Sequence, residues 1–231
     1  LSHHGHGDAA LRLVNQTTMP SWGAMVHGPL LSDMAGTQPK PGTIWEEYGS
    51  AGSVNHPALT SFEPWFYSTL AGIRPTGPGF AESAVAPQLL GNLTSVDAMI
   101  DTVAGPLRCS WVKTQTNLSI DVTIPPNTES TVTIPTGDAS RATLTEGGTV
   151  VWLHGELQAG ASAGVASGRA SHGAQQPGIS FVVGSGRYAF VMDAPELGRS
   201  SSVSALPDSA VLGHPRFGTA SAGSARMPGL S

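Results

Sequence analysis

Residues 118–135 read LSIDVTIPPNTESTVTIP, and this stretch decides the fold class of the chain. Apolar and polar residues alternate on both sides of a central PPNTE, and most of the apolar positions are β-branched. Period-two alternation of this kind predicts strands with one buried face, and the PPNTE segment predicts a turn between them. We therefore predict a β-hairpin that forms part of an antiparallel sheet.

Further strands are predicted on the C-terminal side of this hairpin, in TVVWLHG (149–155) and ISFVVGSGRYAFVM (179–192). Turn signals recur about every ten residues after residue 80, a spacing that favours an antiparallel β-sandwich. From about residue 195 onward the chain is rich in Ser, Ala, Gly and Pro without periodicity. This composition predicts a disordered tail.

The N-terminal third of the chain has a helical pattern instead. Residues 6–16, HGDAALRLVNQ, predict a helix that Pro20 and Gly23 end with a turn, and residues 28–42 predict a loop. Apolar residues at spacings of three and four predict a second helix over 55–72.

In this second helix Pro64 implies either a kink or a later start, and Gly72 is a stop signal. The sequence RPTGPG at 74–79 predicts a linker. Two helices cannot bury so much apolar surface alone, so we expect the last part of a larger helical domain. We also expect the isolated chain to associate through that surface.

Composition and charge exclude several functional classes. The chain has 231 residues, 12 % of them charged, and a net charge of −5, which argues against nucleic-acid binding. No apolar run is long enough to predict a membrane span, and the single Cys109 excludes an internal disulfide. Sequons at Asn15, Asn92 and Asn117 suggest secretion, and the first residue, Leu1, suggests a longer polypeptide.

The segment GTIWEEYGS (42–50) contains the candidate chemistry of the chain. Glu46 and Glu47 follow Trp45, and His56 lies close behind. Aromatic rings pack on sugar rings, and a carboxylate can activate water in glycoside hydrolysis. Because the side chains of neighbouring residues point apart, at most one of Glu46 and Glu47 faces such a site. The alternatives are that both are solvated and that His56 is bonded to backbone.

Three histidines near the start of the chain, His3, His4 and His6, form a weak metal pattern. Metal sites usually collect ligands from separate fixed elements, and these three stand almost together at one end of the sequence. No phosphate loop, Cys-x-x-Cys pair or nucleophile elbow occurs. We therefore predict no metal and no cofactor.

Several motifs taken together resemble a known family, the alpha-L-rhamnosidases of glycoside hydrolase family 78. The resemblance covers residues 1 to about 192, in order and with similar spacing. The segments at 1–26, 42–50 (GTIWEEYGS) and 53–75 (SVNHPALTSFEPWFYSTLAGIRP) resemble the end of the family's catalytic domain. The segments PGFAESAVAPQLLGNLTSV (78–96), 118–135 and VGSGRYAF (183–190) resemble its C-terminal β-sandwich.

This resemblance implies a fold and a set of domain boundaries. The fold is an α and β multidomain arrangement, in which the C-terminal helices of an incomplete (α/α)6 barrel precede an antiparallel β-sandwich. The barrel portion would occupy residues 1–78, the sandwich 79–194 and the disordered tail 195–231. The general acid and the acidic residues that grip the sugar would lie upstream, in the rest of the same catalytic domain.

The resemblance also implies roles for individual residues. Glu46 would be the general base of an inverting reaction, and Trp45 would wall the pocket against the methyl side of rhamnose. His56 would bind a rhamnose hydroxyl or orient Glu46, and Trp22 would line the same end. Glu47 is left outside the site.

The resulting hypothesis is a C-terminal fragment of an inverting alpha-L-rhamnosidase, inactive alone, that acts on rhamnose-containing glycosides. It would supply the general base and not the general acid. Two alternatives stay open: a non-catalytic carbohydrate-binding or structural β-sandwich module, and a degenerate remnant. A low aromatic content of 6 % disfavours the binding module, because such modules hold sugars on exposed aromatic rings.

Overall fold

A computed structural model describes residues 1–27, 42–46, 53, 56–158, 160, 164–172 and 177–193. The predicted tail at 195–231, nearly all of the predicted loop at 28–42, and Glu47 lie outside these residues. The described part consists of a short helical segment followed by two β-sheets. No described helix is long and apolar enough to cross a membrane.

The helical segment is built from short pieces. The α-helices are α1 (Gly7–Asn15), α2 (Trp22–His27) and α3 (Glu63–Trp65). Single 3-10 turns cover Ser2–His4, Pro57–Leu59 and Pro78–Phe80, and α3 continues into one turn of π-helix, Phe66–Leu70. The helix predicted at 6–16 is confirmed by α1 to within one residue at each end.

The turn predicted at Pro20 and Gly23 is only half right. The Met19–Pro20 peptide bond is cis and the chain does turn there, but α2 begins at Trp22 and contains Gly23. A Cβ atom on Gly23 would lie 2.4 Å from the carbonyl oxygen of Gln16. Glycine is needed here because two backbone segments approach closely, and not because a turn ends the helix.

The continuous helix predicted over 55–72 is wrong. Pro57 opens a separate 3-10 turn, and the helix proper begins at Glu63 with Pro64 in its first turn, where a missing N–H donor does no harm. The predicted alternative of a later start is therefore confirmed. Gly72 ends this helix with a φ of 72°, as its stop signal predicts.

Among the described residues, twelve strands follow the helical segment. They are β1 (Ile73–Pro75), β2 (Glu82–Val85), β3 (Ser95–Thr102), β4 (Gly105–Lys113), β5 (Asn117–Ile124), β6 (Glu129–Pro135), β7 (Thr143–Glu146), β8 (Thr149–Leu153), β9 (Glu156–Leu157), β10 (Val165–His172), β11 (Pro177–Val183) and β12 (Gly186–Asp193). They form a five-stranded sheet in the order β1-β2-β6-β11-β10 and a seven-stranded sheet in the order β3-β4-β5-β12-β7-β8-β9. The predicted β-sandwich is confirmed, although β2 and β6 pair in parallel and the prediction was wholly antiparallel.

The hairpin predicted over residues 118–135 is wrong. Its two strands, β5 and β6, lie in different sheets, and the PPNTE segment crosses between the sheets. Each strand instead pairs on both sides with other partners: β5 with β4 and β12, and β6 with β2 and β11. The alternation of apolar and polar residues predicts which face of a strand is buried, but it does not predict which strands pair with it.

The core between the two sheets is aromatic at its centre. The rings of Phe181 and Phe190 stack with centroids 5.3 Å apart, and Tyr188 and Trp152 pack against this pair. A second, smaller cluster of Leu11, Leu70 and Leu90 joins α1 to the π-helical turn and to the loop before β3. This second cluster attaches the helical segment to the sandwich.

The linker predicted at 74–79 is wrong in its first residues, because β1 already pairs with β2 from Ile73. The chain up to Ser200 forms one compact unit, so the helical segment and the sandwich are packed together. The division of this unit at residue 78 into two domains stays a prediction.

The buried Cys109 gives a first testable prediction. Burial in the core, aided by the negative charges of Asp97 and Asp121, raises the pKa of its thiol to about 12. We expect the native protein at pH 8 not to react with a thiol reagent, and one thiol to react after unfolding. The thiol also stabilises the fold below its ordinary pKa of 9.0, and this contribution is lost as the pH rises toward 12.

Reaction of Cys109 in the native state at the rate of a free thiol would contradict this burial. The measurement is the absorbance of the thiolate that an aromatic disulfide reagent releases when it reacts with Cys109, followed with and without denaturant.

A second prediction concerns Gly72, at the junction between the helical segment and β1. A Cβ atom there would lie 2.0 Å from the carbonyl carbon of Ala86, in a left-handed conformation that alone costs about 1–2 kcal/mol. We expect Gly72→Ala to lower the free energy of unfolding by more than that, as measured by urea denaturation. Gly137→Ala is the matched control, since its Cβ meets open space, and a loss equal to that of Gly72→Ala would contradict the prediction.

Candidate functional site

The predicted site residues lie where two short segments face each other. The backbone N–H of Glu46 donates to the carbonyl of Ser53 at 2.9 Å, and the N–H of His56 donates to the carbonyl of Ile44 at 2.9 Å. These two bonds place Glu46 and His56 on opposite sides of a narrow ribbon. The structure therefore places these two residues, ten positions apart in the sequence, on the two facing segments of one ribbon, where Glu46 pairs with Ser53 and His56 with Ile44.

Glu46 is exposed, and one of its carboxylate oxygens is fixed. Oε2 accepts the backbone N–H of Ser53 at 3.1 Å, and within the described residues no other group donates to this carboxylate. A single amide bond orients the group and leaves Oε1 available to a ligand or a water molecule. An oriented, accessible carboxylate is suited to accept a proton or bind a hydroxyl group.

Trp45 anchors this segment to the helical core. The residue is 2 % exposed, and its backbone N–H lies 3.5 Å from Sδ of Met25, a fully buried residue of α2. Its indole Nε1 is buried with no hydrogen-bond partner among the described residues. Buried donors without partners are uncommon in folded proteins. The role of Trp45 as a pocket wall stays a prediction.

His56 is half-buried and stands directly before the Pro57–Leu59 turn. Its backbone N–H donates to the carbonyl of Ile44. This bond does not involve the imidazole ring, so the alternative in which the His56 side chain is bonded to backbone stays a prediction. The ring nitrogen Nδ1 is buried without a partner in the described part of the chain. Nδ1 is thus a polar atom that can bind a group from outside the described residues. Contact of His56 with a sugar hydroxyl stays a prediction.

Trp22 ties the first helices to the same region. Its Nε1–H donates to the carbonyl of Leu59 at 2.8 Å, and its ring lies 4.5 Å from that of Phe62. Phe62 in turn packs edge-on against Phe66 at 5.8 Å. Trp22 therefore fixes the turn that follows His56, and its contact with substrate stays a prediction.

Sequence reasoning missed four supports of this region. Ser53 was not among the predicted site residues, yet its backbone holds Glu46 through two hydrogen bonds. Met25 and the π-helical turn Phe66–Leu70 gave no signal in the sequence. The fourth support is Trp111 of β4, which donates to the carbonyl of Leu70 at 2.8 Å. A weak signal existed for it, because a buried tryptophan needs a partner for its N–H group.

A shallow groove of about 590 Å³ lies elsewhere, on the outer face of the seven-stranded sheet. Its walls include Met99, Arg108, Asp121 and Arg187, which belong to β3, β4, β5 and β12. A bidentate ion pair with Arg108, at 2.6 and 2.8 Å, lowers the pKa of Asp97 beside it. The groove presents no aromatic ring to solvent, because Tyr188 at its edge is only 5 % exposed.

No metal site is found in the described residues. His3, His4 and His6 are exposed, and no group of three His, Cys, Asp or Glu side chains within the described ranges could hold an ion. The weak metal pattern at the start of the sequence gains no geometric support.

Comparisons with known proteins agree on one family. Residues 72–149 match the bacterial alpha-L-rhamnosidase C-terminal domain. Alpha-L-rhamnosidases of Streptomyces avermitilis and of an Alteromonas species are 31 % and 28 % identical over 158 and 138 residues. Those stretches amount to 64 % and 55 % of this chain, and the chain spans only 14 % of the length of either relative.

Solved structures give the same result. The alpha-L-rhamnosidase of Dictyoglumus thermophilum superposes with a TM-score of 0.65 at 26 % identity, over 84 % of this chain and 19 % of its own. The Streptomyces avermitilis enzyme, complexed with L-rhamnose, superposes with a TM-score of 0.57 at 27 % identity, over 81 % and 16 %. Residues 72–149 therefore match the C-terminal domain of bacterial alpha-L-rhamnosidases, and the chain is similar in sequence and fold to the C-terminal part of these enzymes.

Proposed function

We propose that this chain contributes the general base, Glu46, to an inverting alpha-L-rhamnosidase that releases terminal alpha-L-rhamnosyl residues from glycosides. The single observation that supports this most is the carboxylate of Glu46, exposed and oriented by the Ser53 amide within a chain of this family. Residues 1–78 would complete a helical catalytic domain, and 79–194 would form its C-terminal sandwich. The substrate is a rhamnose-containing glycoside, and no cofactor takes part.

The proposed reaction needs two carboxyl groups on opposite sides of the sugar. Glu46 takes a proton from a water molecule as the water oxygen bonds to the anomeric carbon from the face opposite the aglycone. A general acid protonates the glycosidic oxygen as the old bond breaks. In inverting enzymes the two groups stand about 6.5–9.5 Å apart, which leaves room for the water.

The geometry around Glu46 suits the role of a base. Among the described residues only one carboxylate oxygen is held, so the other can receive the proton without breaking the bond to Ser53. The buried Trp45 keeps the segment in place. Nδ1 of His56, which has no partner in the described part of the chain, supplies a polar atom on the other segment of the ribbon. Trp45 and Trp22 would line the apolar side of the sugar pocket, where the methyl group of rhamnose lies.

The general acid is assigned to the part of the catalytic domain that this chain does not cover. We therefore expect the chain alone to be inactive, with the upstream part of its own catalytic domain as its obligatory partner. Exposed apolar side chains on the helical segment, such as Leu13 at 47 %, are consistent with a surface that another segment covers.

A non-catalytic carbohydrate-binding module is the alternative, and the sandwich offers it little support. Such modules hold sugars against exposed aromatic rings. The aromatic residues of the described strands are all buried in the core, namely Trp111, Trp152, Phe181, Tyr188 and Phe190. The groove on the outer face lacks a ring on which a sugar could stack.

Glu46→Gln in the full-length protein is the decisive variant. The amide keeps an oxygen that can accept the N–H of Ser53, so the ribbon should persist while the base is lost. A general base contributes about 10²–10⁴-fold, so we expect kcat to fall by that factor with substrate binding retained. Turnover of an aryl alpha-L-rhamnoside measures kcat, and NMR of the first product tests for inversion to the β-anomer.

Glu63→Gln is the matched control, because Glu63 is an exposed carboxylate on the same helical segment. It should leave kcat within about twofold of the wild type. Retention of turnover by Glu46→Gln within about tenfold would remove Glu46 from the role of base, and initial release of the α-anomer would contradict inversion.

Secretion is proposed from the sequons and makes a separate prediction. Asn15 and Asn92 are exposed, whereas Oδ1 of Asn117 accepts a hydrogen bond from Thr114 at 2.6 Å and the residue is half-buried in β5. Expression through a eukaryotic secretory pathway should therefore give glycans at Asn15 and Asn92 in preference to Asn117. Peptide mass spectrometry measures occupancy, and glycosylation of Asn117 alone would contradict this order.

A further inference from the structure

The end of the helical segment depends on donors from the sandwich. The last carbonyl groups of any helix lack partners within it. Here the carbonyl of Thr69 accepts the N–H of Gln88 at 2.9 Å, and the carbonyl of Leu70 accepts the indole N–H of Trp111 at 2.8 Å. The carbonyl of Gly72 then accepts the N–H of Ala86 at 3.0 Å.

Trp111 is unusual among these donors, because it is the only side chain of the three and comes from the interior of β4. The residue is 1 % exposed and sits in the main core. Its ring therefore has no freedom to follow the helix if the helix moves. The bond fixes the position of Leu70 relative to the seven-stranded sheet.

The helix that ends at Leu70 has an irregular geometry. The N–H of Ala71 donates to the carbonyl of Phe66, five residues back, which is the π-helical pattern. Single π-turns are rare and less regular than α-helix, and they occur frequently at functional sites. Such a turn needs external contacts to fix it, and Trp111 supplies one at its final carbonyl.

A continuous series of contacts leads from this turn to the Glu46 segment. Phe66 packs on Phe62 at 5.8 Å, and Phe62 packs on Trp22 at 4.5 Å. Trp22 then donates to the carbonyl of Leu59, in the turn that follows His56.

In the last steps of the series, backbone N–H groups donate to a carbonyl oxygen or to a side-chain sulfur. His56 donates to the carbonyl of Ile44, two residues before Glu46. From the other side, Met25 of α2 contacts the N–H of Trp45. Each step is thus a ring contact, a hydrogen bond or a short stretch of chain.

We propose that Trp111 is a positioning residue for catalysis, through which the β-sandwich fixes the π-helical turn and thereby the Glu46–His56 ribbon. This inference rests on the proposed role of Glu46. It gives the C-terminal sandwich a function in the reaction without contact with substrate. Displacement of a catalytic group by about 1 Å can cost about 10²-fold in rate, so a small shift at Leu70 is enough to be measured.

The test compares two tryptophans in the full-length protein. Trp111→Phe removes the bond to Leu70, and Trp152→Phe removes an equivalent bond of 2.8 Å to the carbonyl of Ala139. Both residues are buried in the same core, at 1 % and 2 % exposure, so both variants lose one ring and one N–H group. The difference that the test uses is the acceptor, since Ala139 belongs to a loop of the sandwich and Leu70 to the helical segment.

We expect Trp111→Phe to lower kcat by about 10–100-fold with little change in KM, measured well below the unfolding temperature of each variant. Trp152→Phe should keep kcat within about threefold, even where its loss of stability is similar. Equal losses of kcat in the two variants would mean that Trp111 contributes only to stability, which would overturn the proposal. An unchanged kcat in Trp111→Phe would overturn it as well.

Hydrogen exchange gives a readout that does not depend on catalysis. Amides of residues 63–71 and 42–46 should exchange at least about tenfold faster in Trp111→Phe than in Trp152→Phe. Equal exchange would overturn the positioning role. If Glu46→Gln retains turnover, the proposed function fails, and the exchange comparison still decides whether Trp111 fixes the ribbon.

A shape-conserving variant covers the case in which Trp111→Phe does not fold. Benzothienylalanine at position 111 keeps both rings and carries sulfur in place of the N–H group. It should reproduce the loss of kcat and the faster exchange with near-native stability. Native values of both quantities would show that the hydrogen bond has no positioning role.

Discussion

The fold depends on burial of the inward faces of two sheets against each other. Most of the long strands contribute alternate side chains to one core, whose centre is the stacked pair Phe181 and Phe190. Among the described strands the chain passes from one sheet to the other five times, after β2, β5, β6, β9 and β11. Neither sheet is therefore formed by one continuous stretch of the chain.

The sandwich also holds the helical segment in place. That segment consists of short turns with few hydrogen bonds of their own, and short helices are only marginally stable without packing. Its final carbonyl groups are bound by donors of the sandwich, and α1 is attached through Leu11 to Leu70 and Leu90. If Glu46 acts as proposed, the β-sandwich as well as the neighbouring helices would set its position, which would be a reason for a catalytic domain to keep such a module.

The candidate site was accessible to sequence reasoning only in part. Adjacent carboxylates after a tryptophan marked Glu46, but the residues alone could not separate a base from a solvated pair. Resemblance to a family supplied the preference. The bond that holds Oε2 of Glu46 and the burial of Trp45 depend on contacts between distant segments, and no local pattern encodes those contacts.

Local features of the sequence determined which residues are buried and where helices can begin and end. Alternation marked the inward side chains of β5 and β6, Gly72 marked a helix end, and Pro64 marked the late start of α3. Tertiary structure alone decided the pairing: β5 and β6 separate into two sheets, β2 runs parallel to β6, and Trp111 reaches Leu70. The physical reason is that burial of a face is a property of each strand, whereas the choice of partner depends on how all strands fill one shared core.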